Sequence, residues 1–163
     1  MKQLWAPWRM AYIDQDSKED GCIFCNKLEE SDRRAALVLG QTRHSVVMLN
    51  KYPYNNGHLL LAPKRHEKNL SALSAEEYAD LNEALRHSVD IVRRALNPGG
   101  INLGMNLGKC AWAGVEDHLH WHVVPRWEGD TNFMPVVGET RVIPQHLLDS
   151  YDRLREYFQQ ISA

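Results

Sequence analysis

Cysteine is scarce in this chain, charge of one sign is not in excess, and no long hydrophobic run occurs. Three cysteines among 163 residues are too few, and odd in number, for a disulfide framework. Cys22 and Cys25 form a close pair and Cys110 is expected to remain free, a usage that fits a reducing cytoplasm. No stretch approaches the roughly 20 apolar residues needed to cross a bilayer. The N-terminal "MKQLWAPWRMAYI" is interrupted by Pro7 and Arg9 before it reaches signal-peptide length. The expectation is a cytoplasmic protein with no membrane partner. Lysine and arginine total 19 against 21 aspartates and glutamates, a net charge of −2, which gives no electrostatic reason for a nucleic-acid polymer as partner. A local basic pocket for one phosphorylated small molecule remains compatible with that balance. Internal repeats and low-complexity runs are also missing, which excludes a solenoid or a long linker.

What is present is an ordinary globular composition, 44% hydrophobic and 25% charged. A chain this long buries about two-thirds of the surface its unfolded form exposes, so one domain over residues 1–163 is expected. It divides into an irregular N-terminal segment 1–34, a core 35–127 and a C-terminal extension 128–163. In the first segment "DQDSKEDG" is a polar loop leading into "CIFC". The runs "AALVLG", "HSVVMLN" and "GHLLLAP" predict antiparallel strands, with "YPYNNG" connecting the last two. From Ser74 the pattern takes a helical period, with Leu81, Leu85, Val89 and Val92 on successive turns. Ser74 and Glu77 have capping-box spacing, and "NPGG" ends the helix. Two more strands, "INLGMNL" and "HLHWHVV", follow around a glycine-containing loop. A last helix is predicted over 144–161, with Pro144 in its first turn. Strands gathered around one long helix without β-α alternation give an α+β fold, with an antiparallel sheet of about five strands, one long central helix and a C-terminal helix.

The segment "DHLHWHVVPRW" puts three histidines at alternate positions. On a strand His118, His120 and His122 share one face, and Leu119, Trp121 and Val123 share the other, which reads as core. A single strand histidine is more often a solvated polar residue, but three in register exceed what packing needs. One imidazole can attack phosphorus while a neighbour fixes its tautomer; neutral imidazole is equally a metal ligand, and spacing alone leaves both open. Cys22 and Cys25 have the spacing of two thiolates on one Zn²⁺, which is half of a tetrahedral site. "NNGHLLLAPKRH" adds His58 and His66, and "NLGKCAWAG" offers backbone amides for a phosphate.

These motifs, "HLHWHVV" preceded by "GHLLLAPKRH", resemble the signature of the histidine triad (HIT) superfamily, and the resemblance runs from about Cys22 to Arg126. With "LWAPWRMAYI", "CIFC", "LNKYPYNNGHLL" and "HVVPRWEGDTNFMPV" it is nearest to the bacterial branch of diadenosine tetraphosphate phosphorylases (ATP adenylyltransferases) and related hydrolases. The resemblance implies a HIT-like fold and a two-step transfer from an adenosine nucleotide or dinucleoside polyphosphate through an AMP-histidine intermediate. Phosphate would be the acceptor in a phosphorylase. Water would be the acceptor in a phosphoramidate or polyphosphate hydrolase, and a non-catalytic nucleotide-binding protein is the other outcome.

By position the resemblance makes His120 the nucleophile, His122 its phosphate-side partner and His58 the group that orients the site. It puts Asn50 near the ribose, Asn106 near the phosphates, and Gly108, Lys109 and Gly114 in the phosphate-facing loop. It implies a structural zinc on Cys22, Cys25, His66 and His118, with His44 a competing ligand, and a homodimer or higher homo-oligomer. The loop "CAWAGVED" departs from the family. Gly114 or Val115 stands where a hydroxyl donor is expected, and Trp112 where the phosphorylase branch has glycine. Trp112 either narrows the acceptor side of the pocket or packs across the loop. Among the remaining cations Lys109 and Arg126 are the ones expected near phosphate, whereas Trp5, Trp8 and Trp127 read as packing residues.

Overall fold

The computed structural model describes residues 21–130, 143 and 145–159, so "MKQLWAPWRMAYI" and Pro144 lie outside the described residues. Its five strands are β1 Val38–Gln41, β2 Ser45–Leu49, β3 Leu59–Pro63, β4 Gly100–Met105 and β5 Trp121–Arg126. They form one antiparallel sheet in the order β1-β2-β3-β5-β4. Among the described residues three α-helices accompany it, α1 Ile23–Glu29, α2 Ala75–Leu96 and α3 Leu147–Phe158. The α+β arrangement is the one expected. No helix among the described residues is long and apolar enough to cross a membrane.

All five residues of β2 and of β3 are buried, because the sheet is covered on both faces. Val47, Leu49, Leu59 and Leu61 pack with Leu81, Ile91 and Val92 of α2 and Leu154 and Phe158 of α3. On the other face Val46, Met48, Leu60 and Ala62 pack with Phe24 of α1. Two-sided burial is why "SVVML" and "LLLAP" are continuous apolar runs rather than alternating ones. The predicted capping box is present. The Ser74 hydroxyl accepts from the Glu77 amide at 3.2 Å, and the Glu77 carboxylate accepts from the Ser74 amide at 2.8 Å. Helix α2 ends at Asn97 in the left-handed conformation, as "NPGG" suggests.

Three expectations need correction. The segment expected to be irregular contains α1. Its N-cap Cys22 makes no side-chain capping bond, so local signals for the helix are weak; fully buried Phe24, with Ile23 and Leu28 alongside, holds it by tertiary packing. The ladder of β5 begins at Trp121 rather than at His118. Before it the chain is tied elsewhere, for the Leu119 amide donates to the Glu67 carbonyl at 2.8 Å. The alternation of faces nevertheless extends into this segment, with Leu119, Trp121 and Val123 all in the helix-side core. Finally, α3 opens at Leu147, with His146 as its cap accepting from the Leu148 amide, later than the start predicted at Pro144.

Candidate active site and neighbouring metal centre

The histidines lie on the α1 side of the sheet, and each has its protons assigned by what its ring nitrogens meet. His118 is fully buried, and its Nε2 lies 2.8 Å from the Pro63 carbonyl, which can only accept. The proton is therefore on Nε2, and the Nδ1 lone pair faces the Cys22 sulfur at 3.2 Å and the Cys25 sulfur at 3.8 Å. His120 has the opposite tautomer. Its Nδ1–H donates to the His118 carbonyl at 2.9 Å, which leaves the lone pair on Nε2. Burial pushes both imidazoles down, against the opposing pull of those carbonyls, so both favour the neutral form that can ligate or attack. Phe24 lies between them, with its ring centroid 5.0 Å from each.

The third histidine belongs to a separate chain of contacts. The Tyr54 amide donates to His58 Nδ1 at 3.0 Å, so His58 carries its proton on Nε2 and presents it to His122 Nδ1 at 2.9 Å. Neutral His122 then holds its own proton on Nε2. Asn50 reinforces this relay: its amide nitrogen lies 3.2 Å from His58 Nδ1 and its oxygen accepts from the Tyr52 amide at 2.9 Å. Tyr54 stacks on His122 with centroids 5.6 Å apart and planes at 19°. The rings of His120 and His122 are 4.8 Å apart. His58 is positioned by Gly57, which has φ +69° and where an added Cβ would lie 2.3 Å from Leu96 Cδ1. The left-handed backbone favours glycine there, and a Cβ would also displace the Leu96 methyl. Across the sheet His122 pairs with Leu60 on β3 and Gly104 on β4, and the Cβ that Gly104 lacks would touch nothing within 4 Å. The sheet is therefore open beside His122.

One group of metal-ligating side chains is found among the described residues: Cys22, Cys25, His66 and His118, with their donor atoms all within 4.8 Å of one another. A tetrahedral Zn²⁺ bound at ordinary Zn–S and Zn–N lengths keeps its donors about 3.3–3.8 Å apart. The observed 3.2 Å for Cys22–His118 and 3.4 Å for Cys25–His66 Nδ1 are close to that size. The His118 tautomer also fits a metal, because its bond to Pro63 fixes the ring with Nδ1 available. Burial, then Cys22, pushes the Cys25 thiol up, so a cation there competes with protons. His44 is not in this group; its Nε2 is 3.9 Å from Glu76.

The loop after β4 carries the other predicted residues. Gly108 has φ +82°, and Lys109 and Gly114 are exposed beyond it. Asn106, the next residue after β4, donates to the Trp112 carbonyl at 3.4 Å. Trp112 adopts φ +62°, a left-handed conformation that favours glycine, and is 61% exposed. Arg126 is committed to the fold rather than to the histidine array, since it grips Asp130 at 2.6 and 2.8 Å and reaches Asn102 at 3.0 Å. Trp127 packs against the helix-side core, as expected. Tyr52, Pro53 and Tyr54 read from the sequence as lining a nucleoside pocket or shaping the turn, but the stacking of Tyr54 on His122 and the placement of Phe24 between two imidazoles were missed. "YPY" and "CIFC" were visible as motifs, but ring stacking onto histidines far away in sequence has no periodic signal.

Known proteins share this architecture. A histidine triad family protein from Mycobacterium smegmatis, solved with zinc bound, superposes with a TM-score of 0.67 at 27% identity, covering 86% of this chain and 95% of that one. In sequence the chain is 34% identical over 157 residues to the AP-4-A phosphorylase of Mycobacterium tuberculosis (strain CDC 1551 / Oshkosh), covering 92% of this chain and 80% of that protein. It is 33% identical over 105 residues to the adenosine 5'-monophosphoramidase of Schizosaccharomyces pombe, covering 64% and 74% respectively. The HIT domain profile matches residues 32–129, the span that holds the whole sheet and all the histidines just described except His146. On fold and sequence together, this chain belongs to the HIT domain family.

Proposed function

We propose that the chain is a nucleotidyltransferase that cleaves an adenosine polyphosphate, of the dinucleoside polyphosphate class, at its α-phosphate, with His120 as the nucleophile. The observation that carries this reading is the proton arrangement: His120 has its Nδ1–H on the His118 carbonyl and a free Nε2 lone pair, beside a His122 whose Nε2–H is set by His58. In the first displacement Nε2 forms the P–N bond as the P–O bond to the leaving polyphosphate breaks and its electron pair departs with that oxygen. The His118 carbonyl stabilises the imidazolium, and His122 donates to a non-bridging oxygen. In the second, an acceptor oxygen forms a P–O bond and the P–N pair returns to His120.

Similarity over 92% of the chain to a protein named AP-4-A phosphorylase favours phosphate as acceptor. The relative named as a phosphoramidase supports water as the alternative. Asn106, Gly108, Lys109 and Gly114 form the loop that meets the phosphates in this reading. Asn50 orients His58 and the Tyr52 turn, and reaches the ribose from there. Zinc on Cys22, Cys25, His66 and His118 would supply a structural clamp between α1 and the start of the histidine segment. A second copy of the chain is proposed on the β4 edge, where Leu103 and Leu107 are about half exposed.

Incubation with diadenosine tetraphosphate tests the reaction. Phosphorolysis yields ADP and ATP only when inorganic phosphate is present, whereas hydrolysis yields AMP and ATP without it. His120→Ala is expected to abolish turnover and leave the circular dichroism spectrum unchanged; retained turnover would contradict the nucleophile assignment. No turnover by the wild type, with no AMP adduct by intact mass on a slowed variant, would make this a nucleotide-binding protein without catalysis.

A further inference from the structure

We propose that a cavity at the β1 edge is a binding site for a phosphate-class oxyanion, separate from the histidine array. Arg33 ahead of β1, Gln41 and Thr42 at its end, Lys64 just past β3 and Arg155 on α3 line a cavity of about 320 Å³. Three cations converge there, and none of the described side chains lining it is acidic. Asp80, the nearest candidate counter-ion, is turned to the hydroxyls of Thr42 and Ser45 behind the wall. Lys64 rests its ammonium on the Thr42 carbonyl, a neutral acceptor; Asp80 offsets part of its charge and Arg33 opposes it.

Arg155 carries the argument furthest. Its Nη1 is buried and has no hydrogen-bond acceptor among the described residues. Burying a guanidinium N–H without an acceptor is costly, and an anion in the cavity removes that cost. One turn back on α3 the Tyr151 hydroxyl donates to the Val38 carbonyl at 3.1 Å, which ties α3 to β1 beside the cavity. Nearby Arg34 takes the ordinary solution, a two-pronged bond to Asp152 at 2.9 and 2.8 Å. Arg34 is paired with a carboxylate, and among the described residues Arg155 Nη1 has none. At about 320 Å³ the cavity has ample room for a phosphoryl group with its hydration. That group is either free orthophosphate or the terminal phosphate of a nucleotide. β2 and β3 separate β1 from the histidine strand, so this site stands or falls independently of the proposed reaction.

The test is a titration of the full chain with orthophosphate, ATP and chloride at constant ionic strength, followed by NMR of the arginine Nε–Hε groups. Arg155→Met assigns its signal. Orthophosphate is expected to shift the Arg33 and Arg155 signals saturably, in the wild type and equally in His122→Ala. Lys64→Met should raise the dissociation constant at least ten-fold. A matching shift with ATP alone would make the nucleotide's terminal phosphate the source, and a shift with orthophosphate shows that the free anion suffices. If Arg155→Met does not fold, Arg33→Met provides the assignment and the second test of affinity. No saturable shift, as when a carboxylate of the chain already holds these cations, would overturn the proposal. So would a shift that chloride reproduces, or one unchanged by Lys64→Met.

Discussion

His118 and His122 are four residues apart in the same segment and turn to the same side of the sheet, yet their surroundings make them different reagents. Around His118 the second ring nitrogen is bound to a backbone carbonyl and the first faces two thiols. Around His122 the first nitrogen meets another imidazole, whose own orientation is set by a backbone amide. One end of the array thus offers donors that fit a cation, and the other passes hydrogen-bond polarity from His58 to His122, towards a phosphate in the proposed reaction. Sequence spacing makes the two equivalent; the partners Pro63, Cys22, Tyr54 and His58 distinguish them.

The largest expected effect falls on the His122 end. His122→Ala should lower kcat by about 10²- to 10⁴-fold, as removal of a positioned proton donor does, while the zinc content stays unchanged. A variant that lost zinc as well would erase the distinction between the two ends. At the His118 end, Cys22→Ser should reduce bound zinc from about one equivalent to less than about half per chain, and lower Tm by several degrees, because metal affinity is folding free energy at such a site. Metal analysis of protein purified without added zinc, with a thermal melt, measures both. Alkylation of Cys22 and Cys25 at the rate of free thiols in the wild type would count against the clamp.

Smaller effects are expected away from the array. Trp112→Gly removes a non-glycine residue from the left-handed region, which should relieve on the order of 1 kcal/mol of backbone strain. If Trp112 shapes the acceptor side, the same substitution changes KM more than kcat. A variant with both constants unaltered would show that this tryptophan only packs. Smallest is the capping box: Ser74→Ala should cost about 1 kcal/mol by chemical denaturation, and activity should not change. Its partner Glu77 adds a pH signature. Arg65, then the Ser74 amide, holds the Glu77 carboxyl down at about 2 from an ordinary 4.5. A depressed carboxyl pKa stabilises the folded state fully above the ordinary value, and that contribution is lost as pH falls towards 2. Glu77→Gln should therefore flatten the stability profile between those limits and lower stability at neutral pH, where the ionised carboxylate contributes fully, with the difference from wild type vanishing as pH falls towards 2.

Much of this was legible in the sequence, for definite reasons. Apolar periodicity marks α2 because Leu81 and Val92 must reach one core, and the Ser74–Glu77 spacing is a local bond that needs no tertiary partner. The Cys22, Cys25, His66 and His118 set follows from the family resemblance, and the fold brings the four together. What was not legible depends on contacts across the chain. Helix α1 exists because Phe24 finds a cavity between strand residues and two imidazoles, and its own residues carry no capping signal. The tautomers of His118 and His120 are decided by the carbonyls of Pro63 and His118, and every residue except proline also carries an amide that could have stood there instead. Arg126 looked like a phosphate ligand until Asp130, four residues on, proved to hold it.

Gly104 has a consequence of another kind. Directly across from His122, it contributes no side chain, and a methyl group added there would meet no protein atom. Neither packing nor backbone geometry demands glycine at this position, so folding would tolerate an alanine. The constraint, if the site works as proposed, comes from the guest: this is the width of a doorway, and each carbon added to the sill would be felt by the substrate before it was felt by the protein.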